Sequence, residues 1–114
     1  MDWRDFMAET EANVAKLNKE IPDTAKGYGI MGKAAKSDGA LSEKIKEFIA
    51  LGIAIATRCD SCIGFHIRSL VRLGATREEL CEALAMATYM GGGPSYAFSA
   101  KALKAYDLYT GEGL

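Results

Sequence analysis

Two cysteines and the chain's one histidine fall in a single short run, Cys59-Asp60-Ser61-Cys62-Ile63-Gly64-Phe65-His66. On a helix, Cys59 and Cys62 are i, i+3 neighbours and His66 lies four residues beyond Cys62, so two thiols and an imidazole share one face. A thiolate beside an imidazole can serve as a nucleophile, two close thiols can cycle through a disulfide, and thiolates with an imidazole can bind zinc. A helix starting near Asp60 puts both sulfurs at its first turn, where free N–H groups and the positive end of the dipole stabilise a thiolate, and Arg58 adds a positive charge. Zinc would need Glu47 as a fourth ligand. It would also crowd three ligands onto one helical face, with no second Cys or His pair to close the site. The bland alternative is a pair of inert thiols packed as small hydrophobes.

Positioning such a face falls to the surrounding elements. Trp3, Phe6, Met7, Val14, Leu17 and Ile21 recur at helical spacing, which predicts an amphipathic helix over 2–20 that Pro22 ends. Asp23 reads as the N-cap of a shorter helix carrying Tyr28, Ile30, Met31, Ala34 and Ala35, which gives way at Ser37-Asp38-Gly39. Residues 42–57, SEKIKEFIALGIAIAT, begin polar with Ser42 as N-cap and become almost wholly apolar. The isoleucine run also suits a strand, but its charged, helix-forming start and the lack of any partner strand favour a helix.

A helix over 60–73 closes at Gly74. Thr76-Arg77-Glu78-Glu79 is a capping box that opens a helix to about Tyr89. Gly91-Gly92-Gly93 breaks the chain, Pro94 opens a last helix ending near Tyr109, and Thr110 to Leu114 form a frayed tail. No strand precedes the glycines and no Lys-Ser follows them, so they are not a phosphate loop. Cys81 reads as a packed core residue, and Met86, Tyr89 and Met90 as core or interface. The expectation is one all-α domain over 1–114. Its alanine-rich faces (Ala83, Ala85, Ala87; Ala97, Ala100, Ala102, Ala105) exceed what one small core can bury, which points to a homo-oligomer.

Composition narrows the function classes. A chain of 114 residues is 25% charged with a formal net charge of −1, so it lacks the basic footprint of a nucleic-acid binder. No segment approaches the ~20 apolar residues of a membrane span, and the N-terminus is charged from its second residue, unlike a secretory signal. Three cysteines, two of them three apart, make a poor disulfide framework for a secreted mini-protein. The cytoplasm is the expected compartment, where close cysteines more often mean metal or redox chemistry.

Glu47 lies twelve residues before Cys59, about 18 Å away on one straight helix at ~1.5 Å rise per residue. If the chain instead reverses near Thr57-Arg58, an antiparallel hairpin sets Glu47 level with residues near 67 or 68, facing His66. A carboxylate orienting an imidazole that serves a thiol follows nucleophile–base–orienter logic.

Glu47, followed after eleven residues by Cys59-Asp60-Ser61-Cys62 and then His66, carries a resemblance, together with Leu73-Gly74-Ala75-Thr76-Arg77-Glu78-Glu79 and Glu82-Ala83. Over about residues 40–105 the chain resembles the alkylhydroperoxidase D-like branch of the carboxymuconolactone decarboxylase family. The resemblance implies an all-helical fold with a helix-hairpin core, assembled as a homo-oligomer, either trimer or hexamer. It implies a thiol-dependent peroxidase or disulfide reductase that needs no metal and no cofactor beyond a redox-active Cys59–Cys62 disulfide. By position it implies Cys62 as the cysteine that attacks peroxide, Cys59 as its disulfide partner, and His66 and Glu47 as the proton relay. The substrate is then a hydroperoxide or a disulfide, and an outside dithiol of unknown identity restores the pair.

Two departures stand out. The best-known peroxidase members resemble a longer, two-repeat chain and hold a histidine where this chain has Ser61, which removes an acid for the leaving hydroxide. The decarboxylase members generally do not use the cysteine pair, which argues against the alternative of a decarboxylase-like lyase. A third alternative is a non-enzymatic helical assembly whose dithiol senses redox state.

Overall fold

The computed structural model describes residues 1–111. Asp2 accepts hydrogen bonds from the backbone N–H groups of Arg4 and Asp5 and so caps α1 (Trp3–Glu20). Only the first turns of α1 reach the core, through Trp3 and Met7; Val14 and Leu17 farther along are exposed. α2 (Pro22–Lys36) begins two residues earlier than expected. Pro22 takes the first helical position and Ile21 stands before it with no side-chain cap, so Asp23 lies inside the first turn and is not the N-cap. None of the side chains of α2 is buried.

Residues 42–57 form a helix and not a strand: α3 (Glu43–Ala56), capped by the Ser42 hydroxyl on the N–H of Ile45. α4 (Asp60–Arg72) follows at once. α5 (Arg77–Gly91) opens with both arms of the Thr76/Glu79 capping box formed, and α6 (Gly93–Thr110) carries Pro94 in its first turn. The glycine run breaks the chain at one residue only. Gly91 ends α5, Gly93 begins α6, and Gly92, at φ 74° and ψ −157°, holds a conformation that side-chain-bearing residues avoid. Thr110 is the last residue of α6 and Gly111 its left-handed cap, while residues 112–114 of the expected frayed tail lie outside the described residues.

The helices pair as two antiparallel hairpins, α3 with α4 and α5 with α6, with α4 also packed on α6 and α1 lying across α4. Ion pairs mark the register. Arg72 at the end of α4 donates to Glu43 at the start of α3 (2.7 Å), and Arg77 at the start of α5 grips Asp107 near the end of α6 through two bonds (2.8 and 3.1 Å). Lys44 reaches Glu79 (2.9 Å), and Lys101 reaches Asp60 (2.7 Å), tying each hairpin to the other. Between them lies one core of Leu51 and Ile55 from α3, Ile63, Ile67 and Leu70 from α4, Leu80 from α5, and Ala102, Ala105 and Tyr106 from α6, sealed by Trp3 and Met7. Tyr106 satisfies its buried hydroxyl by donating to the carbonyl of Ala75 (2.9 Å).

Met86, Tyr89 and Met90 stand outside this core, exposed together with Ile45, Ile49 and Ile53 along the outer face of α3. Cys81 is half-buried. Of the alanine-rich faces, Ala102 and Ala105 are fully buried while Ala85, Ala97 and Ala100 face outward.

Two outcomes test this packing. A Cβ at Gly64 would collide with the thioether of the buried Met7, so at this crossing α4 leaves room for the Met7 side chain by carrying a glycine. Gly64→Ala should destabilise the fold by about 1–3 kcal/mol. In a Met7→Ala background the same change should cost less, a non-additivity that denaturant titration of the four proteins measures. Arg77 holds the Asp107 carboxyl below its ordinary value of 3.8, chiefly by hydrogen bonding, with partial burial opposing and the guanidinium charge assisting. A depressed carboxyl stabilises the fold above its unfolded-state value and loses that contribution as pH falls through its folded-state value. Asp107→Asn should therefore lower stability at neutral pH by about 0.5 kcal/mol, with the gap to wild type closing progressively as the pH falls below 3.8. A gap that persists at about pH 2 would contradict the assignment.

Candidate redox site at the junction of α3 and α4

The site is built from the way α3 ends. Arg58 donates its backbone N–H to the carbonyl of Ile55 (3.1 Å) and Cys59 donates to Ala54 (3.0 Å), the nested pair of bonds that closes a helix with one residue in the left-handed region. That residue is Arg58, at φ 56°. The same pair of bonds closes α4, from Gly74 to Val71 (3.1 Å) and from Ala75 to Leu70 (2.9 Å), and there the left-handed residue is a glycine at φ 77°. An L-residue in this conformation costs roughly 1–2 kcal/mol.

The reversal delivers Cys59 directly to the start of α4. Cys59 is extended (φ −102°, ψ 97°) and acts as the N-cap, its Sγ accepting from the backbone N–H of Cys62 (3.3 Å). Cys59 and Cys62 are joined by a disulfide across Cα atoms 5.2 Å apart, inside the range that a bridge spans without moving backbone. Both sulfurs are therefore at the first turn, as the helix start near Asp60 requires, and both residues are half-buried. The Ser61 hydroxyl lies 3.5 Å from Cys59 Sγ, within reach of sulfur.

One turn farther along α4, His66 Nδ1 stands 2.6 Å from Glu47 Oε2. Glu47 is 1% exposed and shares the buried stripe of α3 with Leu51, Ala54 and Ile55. A carboxylate there is costly unless it is paired and hydrogen-bonded, and the imidazole meets that need. An ionised carboxylate only accepts, so the hydrogen belongs on Nδ1 and Nε2 is left to exchange a proton with whatever faces it. The His66 side chain keeps 29% of its surface. The hairpin thus joins Glu47 to His66, and the sequence of α4 places His66 one turn from the cysteine pair. Among the described residues, no group of three or more His, Cys, Asp or Glu is gathered to hold a metal ion.

Two cavities share His66 in their walls. One, of about 610 Å³, is an apolar groove between α1 and α2 lined by Val14, Leu17, Ile21, Ala25 and Tyr28. The other, of about 400 Å³, is lined by Glu47, Phe65, Ser69 and the cations Lys36, Arg68 and Arg72. Arg68 is paired with Glu11 (2.7 Å) and Arg72 with Glu43. The sequence reading did not bring α1, α2 or Lys36 to the site. The apolar spacing of Val14, Leu17, Ile21 and Tyr28 was the available signal, but it marks a face without saying what the face borders. Cys81 lines a separate cavity of about 550 Å³ between α5 and α6.

Residues 22–105 match the carboxymuconolactone decarboxylase family. Among solved structures, a carboxymuconolactone decarboxylase family protein from Legionella pneumophila superimposes with a TM-score of 0.91 at 46% identity, covering 94% of this chain and 96% of that one. A family protein from Thermotoga maritima, for which a part in the antioxidative response has been suggested, gives a TM-score of 0.72 at 29% identity over 79% of this chain and 93% of that one. An uncharacterised protein of Cupriavidus necator is 36% identical over 93% of this chain and 94% of its own length. Another, encoded in the cox locus of Paracoccus denitrificans, is 38% identical over 92% of this chain and 95% of its own length. With sequence and fold agreeing over nearly its whole length, the chain belongs to the carboxymuconolactone decarboxylase family.

Proposed function

We propose that this protein is a thiol oxidoreductase of the alkylhydroperoxidase D-like branch, reducing hydroperoxides or disulfides through Cys59 and Cys62. The observation that carries the reading is the Cys59–Cys62 disulfide one helical turn from an imidazole held by a buried carboxylate. The role suggested for the Thermotoga maritima relative points the same way.

In the reduced protein, the Cys62 thiolate attacks the terminal peroxide oxygen. The O–O bond breaks, the alkoxide leaves with a proton supplied through His66, and Cys62 becomes a sulfenic acid. Cys59, as a thiolate, then attacks that sulfur; the S–O bond breaks, the hydroxide leaves as water with the proton that the Cys59 thiol gave up, and the disulfide forms. Two thiols of an outside dithiol reduce it again, passing two electrons and two protons. Glu47 orients His66 and balances its charge. The Ser61 hydroxyl, 3.5 Å from Cys59 Sγ, occupies the place where the best-known peroxidases hold an imidazole, so the acid for the leaving group falls to His66 alone.

The domain would work as a homo-oligomer, trimer or hexamer, in the cytoplasm. The exposed Ile45, Ile49 and Ile53 of α3 and the Met86, Tyr89 and Met90 group of α5 support assembly. No helix among the described residues is long and apolar enough to cross a membrane.

One equivalent of hydroperoxide added to the reduced protein should remove two of its three thiols per chain and leave Cys81 free. A full thiol count after treatment would overturn the reading, and disulfide formation without catalytic turnover would turn it into a sensor. Cys62→Ser should reduce peroxide consumption at least about 100-fold; retained consumption would remove Cys62 as nucleophile. Glu47→Gln keeps the shape of the side chain but not its charge. It should slow turnover about 100-fold and displace the pH–rate profile, and a superimposable profile would take Glu47 out of the mechanism.

A further inference from the structure

We infer that Arg58 is a specificity-determining residue, the docking charge that makes the Cys59–Cys62 disulfide select anionic thiols as its reductants. The inference rests on the thiol oxidoreductase reading above.

Two helix ends in this chain close by the same hydrogen-bond pattern and differ at the left-handed position, Gly74 in one and Arg58 in the other. Glycine occupies such a position without steric cost, and a strained non-glycine residue persists where it serves a purpose that glycine cannot. A packing role does not account for it, because Arg58 is exposed and, among the described residues, its guanidinium has no hydrogen-bond or ion-pair partner. The charges of the residue that follows Cys59 and of the carboxylate behind the imidazole are matched. Asp60 is paired with Lys101, whose ammonium also lies 4.8 Å from the centre of the Phe98 ring, and Glu47 is paired with His66. Arg58, adjacent in the chain to Cys59, therefore brings an exposed and unpaired positive charge to the start of α4, where the positive end of the helix dipole adds to it. With a net charge of −1, the whole molecule offers anions no general attraction, so any preference for them has to be local.

The chemistry at the disulfide uses such a charge. An incoming thiolate attacks one sulfur of the pair; a new S–S bond forms, the Cys59–Cys62 bond breaks, and the displaced sulfur leaves as a thiolate. A second thiolate from the reductant resolves the mixed disulfide, so that two reductant thiols become one disulfide and two electrons and two protons reach the protein. Negative charge approaches in the first step and is left behind on the protein sulfur. A reductant carrying a further carboxylate or sulfonate is drawn to Arg58 as well, whereas a cationic thiol is repelled.

The test uses the full chain in a Cys81→Ser background, oxidised with diamide so that the outcome does not depend on any reaction with peroxide. Reduction is followed by alkylation of the released thiols, with 2-mercaptoethanesulfonate, 2-mercaptoethanol and cysteamine compared at equal thiolate concentration. At low ionic strength the sulfonate should react about threefold to tenfold faster than cysteamine, with the ratio shrinking at high salt. Arg58→Gly should bring the ratio close to one while raising the melting temperature, since glycine relieves the left-handed strain, and Arg58→Lys should keep the ratio. A ratio that survives in Arg58→Gly, or no charge preference in the parent protein, would overturn the inference. Charge selection that persists in a protein whose dithiol ignores peroxide would refute the peroxidase reading and leave the role of Arg58 standing.

Discussion

A carboxylate shut inside a helical hairpin has to be met by a hydrogen-bonding partner, and for Glu47 that partner is His66. The pairing constrains everything around it. Sliding α3 one turn against α4 would strand a buried charge, at a cost of several kcal/mol, so the register of the hairpin and the placement of the imidazole are one requirement. The polar contacts between helix ends agree with it. Glu43 meets Arg72 at the open end of the hairpin, and Asp60 meets Lys101 beside the disulfide. Each of these exposed pairs is worth little alone. Together they fix α4, which carries both sulfurs and the ring, against α3 and α6.

Much of this was legible because it is carried by local chemistry. The Ser42 and Thr76 caps and the Gly74 stop each depend on a few adjacent residues, and each formed as read. Glu47 was reachable from sequence because the connection between α3 and α4 is short enough for reflection about it to predict a partner. The expected level was residue 67 or 68, and the residue found is His66. Asp23 misled because an acidic residue near a helix start resembles a cap, whereas Pro22 had already fixed the first helical position. The glycine run does break the chain, as its composition indicates, but the break is confined to Gly92, while Gly91 and Gly93 still belong to the helices on either side.

The remaining differences concern where apolar faces go. Periodicity identifies a face that water disfavours, but the covering surface is a tertiary fact. Trp3 and Met7 are covered by the core, while Val14 and Leu17 of the same helix, with Ile21 and with Tyr28 of α2, line an open groove that His66 also borders. Arg58 was equally unreadable as a conformation. Arginine gives no left-handed signal, and its position became visible only when the two helix ends could be laid side by side.

Cys59 holds three positions at once: it completes the closing turn of α3, it caps α4, and it supplies one sulfur of the disulfide. The capping bond uses a lone pair on Sγ, which disulfide and thiolate both possess. Oxidation and reduction therefore exchange the partner of the sulfur without taking away the acceptor that holds the first turn of α4. Loss of the cap is thus not a consequence of reduction, and nothing in that hydrogen bond requires α4 to unwind when its sulfurs change state.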